Sequence, residues 1–458
     1  MIENDAFKLL LINLFHLNPD DIANIFCTTF NKMMVLIVTL ADKHQACPYC
    51  GFTVPKIKEY VTKEITHSAL TTQKCIIKYR ARRYKCPCCG KTYYEFNPFV
   101  FKSQKISILT VHNILKDLKD FNETFTSVAR RYHVSPTSVS TIFDNHVDIG
   151  RNPLPEIINF DEVYAFKSEK SKYVCVLLDF KKQIPVDVLP NRKKEYLLNY
   201  FQKIPLEERK KVKYACSDMY EVYRDVVHKV FPEAKHLLDY FHLSQDFHKK
   251  MNEVRIKVMK GYKDDKASDE YYLLKKFNWL LFKNPEDEDK YGRLFDVERE
   301  RKYNSHFKSY MNYYDLRRKL LEINNNLTIC YSLKLELVDF YSKSTIDNAQ
   351  VNLEHLIRSC IDTNIEEMIA FSNNLINWKQ EIINSFTIVG TEYKVEADKG
   401  QVVVCNKKVN NAIIENRNKI IKCIKNNANG YTNWSRFRNR VMYVLDPNTT
   451  FSLEPREK

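Results

Sequence analysis

The sequence predicts a multidomain α+β protein, and three features support this prediction. The 458 residues exceed what one hydrophobic core usually organises, and 44% of them are apolar, which suffices for large cores. Two C-x-x-C-G segments near the N-terminus are typical of a zinc ribbon. Farther along, three consecutive strands precede alternating helices and strands, and a long helical stretch follows.

The charge balance favours a polyanionic partner. The chain has 72 Lys and Arg against 57 Asp and Glu, a formal net charge of +15. Nucleic acid is the first candidate, because binding releases its condensed counterions, and a merely soluble basic protein is the alternative. Thirteen cysteines without a signal peptide favour a reduced cytoplasm. The longest apolar run, 33–41, is too short to span a bilayer, so we expect no membrane partner.

Two cysteine knuckles predict a structural Zn²⁺ site with the ligands Cys47, Cys50, Cys86 and Cys89. The glycine after each knuckle supplies the positive φ of a tight turn. Four sulfurs match tetrahedral Zn²⁺ and leave no position for water. A β-hairpin is expected to fill the long gap between the knuckles. Buried or redox-active thiols are the alternative interpretation, and Cys88 is a possible replacement ligand.

Residues 125–143 have the pattern of a helix-turn-helix. A short helix is followed by a turn, and Pro136 begins a second helix after a Ser cap. The second helix would face a DNA groove, with the arginines of the first helix near phosphates. Such helix pairs also occur in ordinary domains, so the neighbouring zinc module and basic charge strengthen this interpretation. The predicted DNA contacts are Arg130, Arg131, Thr137, Ser138, Ser140 and Thr141.

Two aspartates lie on strands of a predicted mixed sheet. The order βββαβαβ over 157–239 is that of a ribonuclease H-like fold. Asp161 lies within the first strand and Asp218 ends the fourth; these strands are adjacent in that fold, so the carboxylates can meet. Two-metal phosphodiester chemistry requires such carboxylates. Glu162 is expected on the opposite face, by strand alternation. Surface or turn carboxylates are the alternative interpretation, and other strand aspartates stay open as candidates: Asp179, Asp187 and Asp239.

The sequence resembles the transposases of the ISL3 insertion-sequence family over most of its length. The resemblance implies a ribonuclease H-like catalytic domain with a large helical insertion, and an acidic triad that binds Mg²⁺ or Mn²⁺. The triad residues are Asp161, Asp218 and Glu415. The blocks that carry the resemblance include Arg82-Arg83-Tyr84-Lys85-Cys86, Asn159-Phe160-Asp161-Glu162, Ser217-Asp218-Met219-Tyr220, Asp239-Tyr240-Phe241-His242 and Asn410-Asn411-Ala412-Ile413-Ile414-Glu415.

The resemblance further implies a bacterial DNA transposase of the DDE type. Such an enzyme binds terminal inverted repeats, cleaves DNA strands with water and joins the freed 3′ hydroxyl to target DNA. Its partner is double-stranded DNA, both element ends and target. We expect a homo-oligomer, a dimer or higher, on DNA in the nucleoid-associated cytoplasm. Basic residues near the C-terminus are expected on phosphates close to the cut: Lys422, Lys425, Arg438 and Arg440.

These patterns divide the chain into six predicted segments. They are an N-terminal helix and strand (1–46), a zinc-binding ribbon (47–100), a helix-turn-helix domain (101–150), the first part of the catalytic core (151–242), a mainly helical insertion (243–405) and the glutamate-bearing part of the core (406–458).

Two alternative functions remain. A catalytically inactive transposase-derived DNA-binding regulator would have the same zinc and helix-turn-helix features, but the presence of all three acids favours an enzyme. A structure-specific nuclease of ribonuclease H-like fold ranks last, because it would not need both DNA-binding modules.

Overall fold

The computed structural model describes residues 2–43, 45–101, 104–166, 171–395 and 402–456. It is a mixed α/β structure with two five-stranded sheets, three small two-stranded sheets and a large helical body. Within the described residues, the helices are all too short or too polar to cross a bilayer.

One sheet and one helix form the N-terminal region. The elements are α1 (Ile2–Leu14), β1 (Ile22–Phe30), β2 (Met33–Leu40), β3 (Lys56–Thr66), β4 (Cys75–Lys85) and β5 (Thr92–Tyr94). The strand order is β1-β2-β4-β3, and β5 also pairs with β4. The hairpin expected between the cysteine knuckles is formed by β3 and β4. Because β2 pairs with β4, the first two predicted segments share one sheet and one core, in which Leu36 and Ile77 are fully buried.

Three helices follow this sheet: α2 (Ile108–Asp117), α3 (Phe125–Arg131) and α4 (Pro136–His146). Thr124 and Ser127 form a capping box at the start of α3. The predicted turn places His133 at φ +53°, and the Ser135 hydroxyl accepts the amide of Ser138 at the start of α4. The predicted start of the second helix at Pro136 is therefore observed, and this helix ends three residues beyond the predicted segment.

The central sheet contains the strands that carry the two aspartates. Its strand order is β10-β9-β6-β7-β8, in which the first three strands along the chain are antiparallel and the last two run parallel to β6. The predicted order of strands and helices is observed, with one additional short helix before the fourth strand. The elements are β6 (Ile157–Val163), β7 (Val174–Asp179), β8 (Pro185–Leu189), α5 (Lys194–Gln202), α6 (Leu206–Arg209), β9 (Tyr214–Ser217), α7 (Glu221–Val230) and β10 (Lys235–Leu238).

Along the chain, a helical body follows the central sheet and precedes the C-terminal helices. Leucine, phenylalanine and methionine side chains form its core. Two hairpins interrupt this mainly helical stretch, and their strands of two or three residues are too short to give an alternating pattern in the sequence. The elements are α8 (Tyr240–Lys260), α9 (Asp269–Lys276), a 3-10 turn (Asn278–Phe282), β11 (Glu288–Asp289), β12 (Gly292–Arg293), β13 (Lys302–Asn304), β14 (Ser309–Met311), α10 (Tyr313–Glu322), α11 (Asn325–Lys343), α12 (Ala349–Asp362), α13 (Glu366–Asn377) and α14 (Lys379–Asn384).

After the helical body the chain returns to the central sheet. A hairpin of β15 (Ile388–Val395) and β16 (Val402–Lys408) leads into α15 (Ala412–Asn427) and α16 (Trp434–Leu445). These two helices pack on one face of the sheet, whereas α5 and α7 pack on the other. The last part of the chain therefore completes the second layer over β6, β7 and β8.

Helix α16 also holds the three-helix unit against the central sheet. Arg440 is only 1% exposed, and its guanidinium donates to the carbonyl oxygens of Asp120 and Glu123, each at 2.8 Å. The Tyr443 hydroxyl donates to the Leu115 carbonyl at 3.0 Å. Both side chains are buried, so each donor must keep its protein acceptor. These hydrogen bonds therefore fix the orientation of α2, α3 and α4 relative to the sheet.

Replacing this arginine should destabilise the junction. We expect Arg440→Met to lower the free energy of unfolding by about 2 kcal/mol, because it keeps apolar volume but removes charged hydrogen bonds to two carbonyls. Urea denaturation followed by circular dichroism measures the change. Lys422→Met, on the exposed side of α15, is the control and should change stability by no more than about 0.5 kcal/mol. Equal midpoints for the two variants would contradict the structural role of Arg440.

Candidate active site

The two cysteine knuckles meet at one end of the N-terminal sheet. The Sγ atoms of Cys47 and Cys89 are 3.7 Å apart, and those of Cys50 and Cys86 are 3.5 Å apart. All four sulfurs lie within 4.8 Å of one another. A tetrahedral ion with Zn–S bonds of about 2.3 Å would hold its sulfurs about 3.8 Å apart. The four cysteines thus have the donor chemistry and the spacing that Zn²⁺ requires.

Three other residues of a type that binds zinc lie outside the four-sulfur cluster: Cys75, Cys88 and His67. Gly51 and Gly90 have φ of +74° and +70°, as a tight knuckle turn requires. Cys88 is exposed and lies outside the four-sulfur cluster, and Cys75 is buried in the sheet core, where burial raises the pKa of its thiol to about 12. His67 is buried and uses both ring nitrogens in hydrogen bonds.

Asp161 is buried near the end of β6. Its Oδ1 accepts the backbone amide of Glu162 at 2.8 Å, and its Oδ2 accepts the side-chain amide of Asn418 at 2.8 Å. Burial, together with the negative charges of Glu162 and Asp218, raises the pKa of Asp161 to about 7. A buried carboxyl beside other acids, with no cationic partner in direct contact, is suited to receive a cation.

Asp218 follows β9 directly, on the strand next to β6. The parallel register pairs Asn159 with Cys216, and two residues farther the same register aligns Asp161 with Asp218. The Oδ1 of Asp218 is buried and has no hydrogen-bond partner within the described ranges. Burial raises the pKa of this carboxyl. Two adjacent strands thus bring two acids together, and the charge of Asp218 contributes to the raised pKa of Asp161.

Helix α15 carries Glu415 to the same end of the sheet. The Asn159 side chain of β6 donates to Asn411 Oδ1 at 2.7 Å, which fixes the start of the helix. Glu415 lies in the first helical turn, and Asn418, one turn later, donates to Asp161. A glutamate 254 residues after Asp161 in the chain therefore sits on a helix that is hydrogen-bonded to that aspartate.

Asp239 and His242 complete the acidic site. Ligand atoms of Asp239, His242 and Glu415 all lie within 4.8 Å of one another, a group that contains neither Asp161 nor Asp218. Asp239 follows β10 and is buried, and its Oδ1 accepts the backbone amide of Asn411. The Oδ2 of Asp239 and the Nε2 of His242 are also buried, and neither has a hydrogen-bond partner among the residues described. Carboxylate oxygens with one imidazole nitrogen suit Mn²⁺ and, less well, Mg²⁺.

The sequence contained a signal for these two residues that went unused. Asp239 stayed open as one of several strand aspartates, and no role was predicted for His242. An aspartate that ends a strand and caps a helix, with a histidine three positions later, places both side chains on one face of the first helical turn. That spacing would have indicated two side chains that can bind the same metal ion.

The other acids of the sheet have different partners. Glu162 faces away from Asp161, as strand alternation predicted: it forms an ion pair with Arg192 and accepts the Tyr223 hydroxyl at 3.1 Å. Asp179 accepts two backbone amides in the turn after β7. Asp187 accepts the Tyr200 hydroxyl at 2.7 Å and pairs with an arginine of α16. Asp179 and Asp187 therefore have structural hydrogen-bond or ion-pair partners within the protein.

Part of the predicted DNA-contacting set lies on the surface of the helix pair. Arg130, Thr137 and Thr141 are exposed, and Ser138 is half-buried with its hydroxyl 2.8 Å from that of Ser135. Thr137, Ser138 and Thr141 line a groove of about 310 Å³. This side of α4 is therefore exposed at Thr137 and Thr141.

Two predicted contacts of the helix pair require correction. Ser140 is buried, and its hydroxyl donates to the Thr137 carbonyl at 3.0 Å. Arg131 forms ion pairs with Asp117 and Glu123. Ser140 lies on the core side of α4, and the charge of Arg131 is compensated within the protein, so neither residue offers a free group to DNA.

Two of the four predicted C-terminal contacts also require correction. Arg440 is buried at the junction described above. Arg438 donates to Asp187 and to the Ile149 carbonyl. Helix α16 turns these side chains inward because it packs between the central sheet and the three-helix unit. Lys422 is exposed on α15, and Lys425 Nζ lies 5.1 Å from the centroid of the Tyr164 ring.

Comparisons with known proteins find related transposases. Residues 158–397 match the model of a family described as transposases, the DDE transposases of the ISL3 type. The chain is also similar to the transposase for insertion sequence element IS1001 of Bordetella parapertussis, with 20% identity over 409 residues, which cover 89% of this chain and 90% of that protein. The family match spans just over half of the chain and includes Asp161, Asp218, Asp239 and His242. The chain belongs to the ISL3 family of DDE transposases.

Proposed function

We propose that this protein binds the terminal inverted repeats of an insertion sequence and catalyses metal-dependent cleavage and transfer of DNA strands. The observation that supports this proposal is the convergence of acids at one end of the central sheet. Asp161 and Asp218 come from adjacent strands, and Glu415 comes from a helix that is tied to β6 through Asn411 and Asn418. A ribonuclease H-like catalytic core, with the helical body as an insertion, is part of the proposal.

In the proposed site, Asp161, Asp218 and Glu415 would hold divalent cations. Such a metal pair would supply activation of the attacking water or 3′ hydroxyl and stabilisation of the leaving oxygen. The protein orients the ligands: Asn418 holds one carboxylate oxygen of Asp161, and the peptide of Glu162 holds the other. The same in-line displacement serves cleavage and joining, so one site suffices for both.

Asp239 belongs to the proposed site as a further ligand or positioning residue. One of its carboxylate oxygens is fixed by the backbone amide of Asn411, and the other is left without a hydrogen bond within the described structure, 3.9 Å from His242 Nε2. Burial raises the pKa of Asp239, the charge of Glu415 also raises it, and His242 lowers it. Ligand atoms of the three side chains lie within 4.8 Å of one another, close enough to bind one cation.

The proposed DNA-binding surface extends from the helix pair to α15. We interpret α3 and α4 as a helix-turn-helix, with Thr137 and Thr141 toward a groove and Arg130 toward a phosphate. Lys422 projects from the helix that carries Glu415, so a phosphate bound by it would lie near the cut. The four cysteines hold a structural Zn²⁺ that folds the N-terminal module.

The test uses the full-length protein and duplex DNA that carries the inverted repeats flanking its gene. With Mg²⁺ or Mn²⁺ we expect specific nicks at the repeat ends that leave 3′ hydroxyls, and transfer of those ends to a target plasmid. Chelation with EDTA should stop the reaction, and a duplex with scrambled ends should stay intact. Specific binding without cleavage under all metal conditions would instead identify a transposase-derived regulator and refute the proposed chemistry.

A further inference from the structure

Arg192 lies at the same edge of the central sheet as the acids. Strands β6 and β8 run in the same direction, because each is antiparallel to β7 between them. The register places Leu189, the last residue of β8, in one row with Cys175 and Glu162. Arg192 comes shortly after Leu189, so it follows the carboxyl end of β8 as Asp218 follows that of β9. A cation therefore lies at the edge where we propose that the metal-binding acids converge.

Two tyrosine rings and one acid hold the Arg192 side chain. Its guanidinium carbon lies 4.7 Å from the centroid of the Tyr173 ring and 4.6 Å from that of the Tyr220 ring. One guanidinium nitrogen, Nη1, forms an ion pair with Glu162. Tyr220 closely follows Asp218 in the chain, so the guanidinium contacts the segment that carries a proposed metal ligand. Burial raises the pKa of Asp218, and Arg192 is among the groups that lower it.

Part of the hydrogen-bonding capacity of Arg192 is unused. Its Nε and Nη2 atoms donate to no residue in the part of the chain that the structure describes. The contacts with the tyrosine rings use the charge of the guanidinium but consume none of its N–H donors. The side chain is 28% exposed, so a ligand can reach it. Arg192 therefore offers a positively charged donor group whose position is fixed by its neighbours.

Arg151 shows the contacts of a structural arginine in the same sheet. Its side chain is 29% exposed, almost the same as that of Arg192, and it also pairs with one glutamate. Its two terminal nitrogens donate to the two carboxylate oxygens of Glu208, at 2.6 and 2.7 Å. The next residue, Asn152, donates its backbone amide to Val186, near the start of β8. Arg151 therefore lies at the opposite end of the sheet and has both terminal nitrogens engaged.

We propose that Arg192 is a further catalytic residue, which binds a phosphate of the DNA strand next to the bond that is cut. This inference deepens the proposed function and rests on it. A guanidinium with free donors is suited to the oxygens of a phosphate. Carboxylates do not attract a phosphate, so a positive side chain beside them supplies a contact that aligns the strand with the acids.

Neutralisation of Glu162 is the simpler role for Arg192. The Glu162 side chain is only 17% exposed, and its Oε2 accepts the Tyr223 hydroxyl at 3.1 Å. That role accounts for one guanidinium nitrogen. It leaves unexplained why two further nitrogens stay free within the described structure, on a side chain that two rings hold at the edge with the acids. The two roles give different results when both charges are removed together.

The test combines variants of the full-length protein with DNA in which single phosphates are neutralised. Each end duplex carries one methylphosphonate, placed in turn at each phosphate that flanks the cut. Single-turnover cleavage with Mg²⁺ measures the rate, and gel shift in EDTA measures binding. The variants are Arg192→Gln and Arg192→Lys, with Arg151→Gln as the matched control. Thermal melting verifies that each variant is folded.

We expect Arg192→Gln to slow cleavage by roughly 10- to 100-fold, because a charged hydrogen bond to the phosphate is lost. Arg151→Gln should cleave at the wild-type rate. At one position, a methylphosphonate should slow the wild type to a similar extent but have no further effect on Arg192→Gln. Should Arg192→Gln fail to fold, Arg192→Lys carries the comparison: it should cleave more slowly and respond less to that methylphosphonate. Effects that multiply at every flanking phosphate would overturn the assignment of Arg192.

The double variant Glu162→Gln with Arg192→Gln separates phosphate binding from neutralisation. If Arg192 only neutralises Glu162, removal of both charges should restore cleavage, and that result would overturn the inference. We expect the double variant to stay as slow as Arg192→Gln. Wild-type protein that neither binds nor cleaves end DNA would overturn the proposed function instead.

Discussion

Asp161→Asn, Asp218→Asn and Glu415→Gln are each expected to abolish strand cleavage while DNA binding is retained. Each change keeps the shape of the side chain but removes the negative charge that holds a divalent cation. A bound ion supplies several kcal/mol of transition-state stabilisation, so the rate should fall by about 10³-fold or more. Single-turnover cleavage of labelled end DNA measures the rate, and gel shift of the same DNA measures binding.

The control and the adjacent acids sharpen this experiment. Asp225→Asn removes a carboxylate from the surface of α7 in the same core, where it pairs with Lys194, and should cleave at the wild-type rate. The structure groups Glu415 with Asp239 and His242. If Asp161→Asn cleaves normally while Asp239→Asn is inactive, then the assignment of Asp161 is wrong and the metal lies with that second group.

Cys47→Ser together with Cys50→Ser is expected to eliminate bound zinc and to weaken binding to the inverted repeats strongly. A structural Zn²⁺ site contributes on the order of 10 kcal/mol to the folding of its module. The knuckles pack against Tyr84 and Tyr93 at one end of the N-terminal sheet. Elemental analysis measures the zinc, and anisotropy measures the affinity.

Cys88→Ser is the matched control for this prediction, because Cys88 lies beside the knuckle but outside the sulfur cluster. It should keep one zinc per chain and wild-type affinity. The central sheet has a separate core, so the double cysteine variant should still show cooperative unfolding of the remaining domains. Undiminished binding by the zinc-free variant would contradict a role for the module in DNA recognition.

The sequence predicted the features that depend on residues close together in the chain. The knuckles follow from C-x-x-C-G spacing, and the start of α4 follows from a Ser cap before Pro136. The strands of the central sheet follow from apolar runs between charged turns, and their order follows from the alternation with helices. On this basis Asp161 and Asp218 could be predicted to lie close together, because residues near the carboxyl ends of two adjacent parallel strands are neighbours.

The sequence did not reveal which side of a helix faces the protein when two layers compete for it. Helix α16 contacts both the central sheet and the three-helix unit, so Arg438 and Arg440 point inward although they look like surface cations. The polarity of Ser140 conceals its position on the buried side of α4. The grouping of His242 with Glu415 depends on contacts between distant parts of the chain, which no local pattern records.

The order of the polypeptide has a consequence for truncated products. The modules proposed to hold DNA precede Glu415 in the chain, whereas Glu415 is needed to complete the proposed site beside β6. A product of premature termination would therefore occupy element ends without cutting them. Such fragments would act as dominant inhibitors of the complete protein made from the same gene.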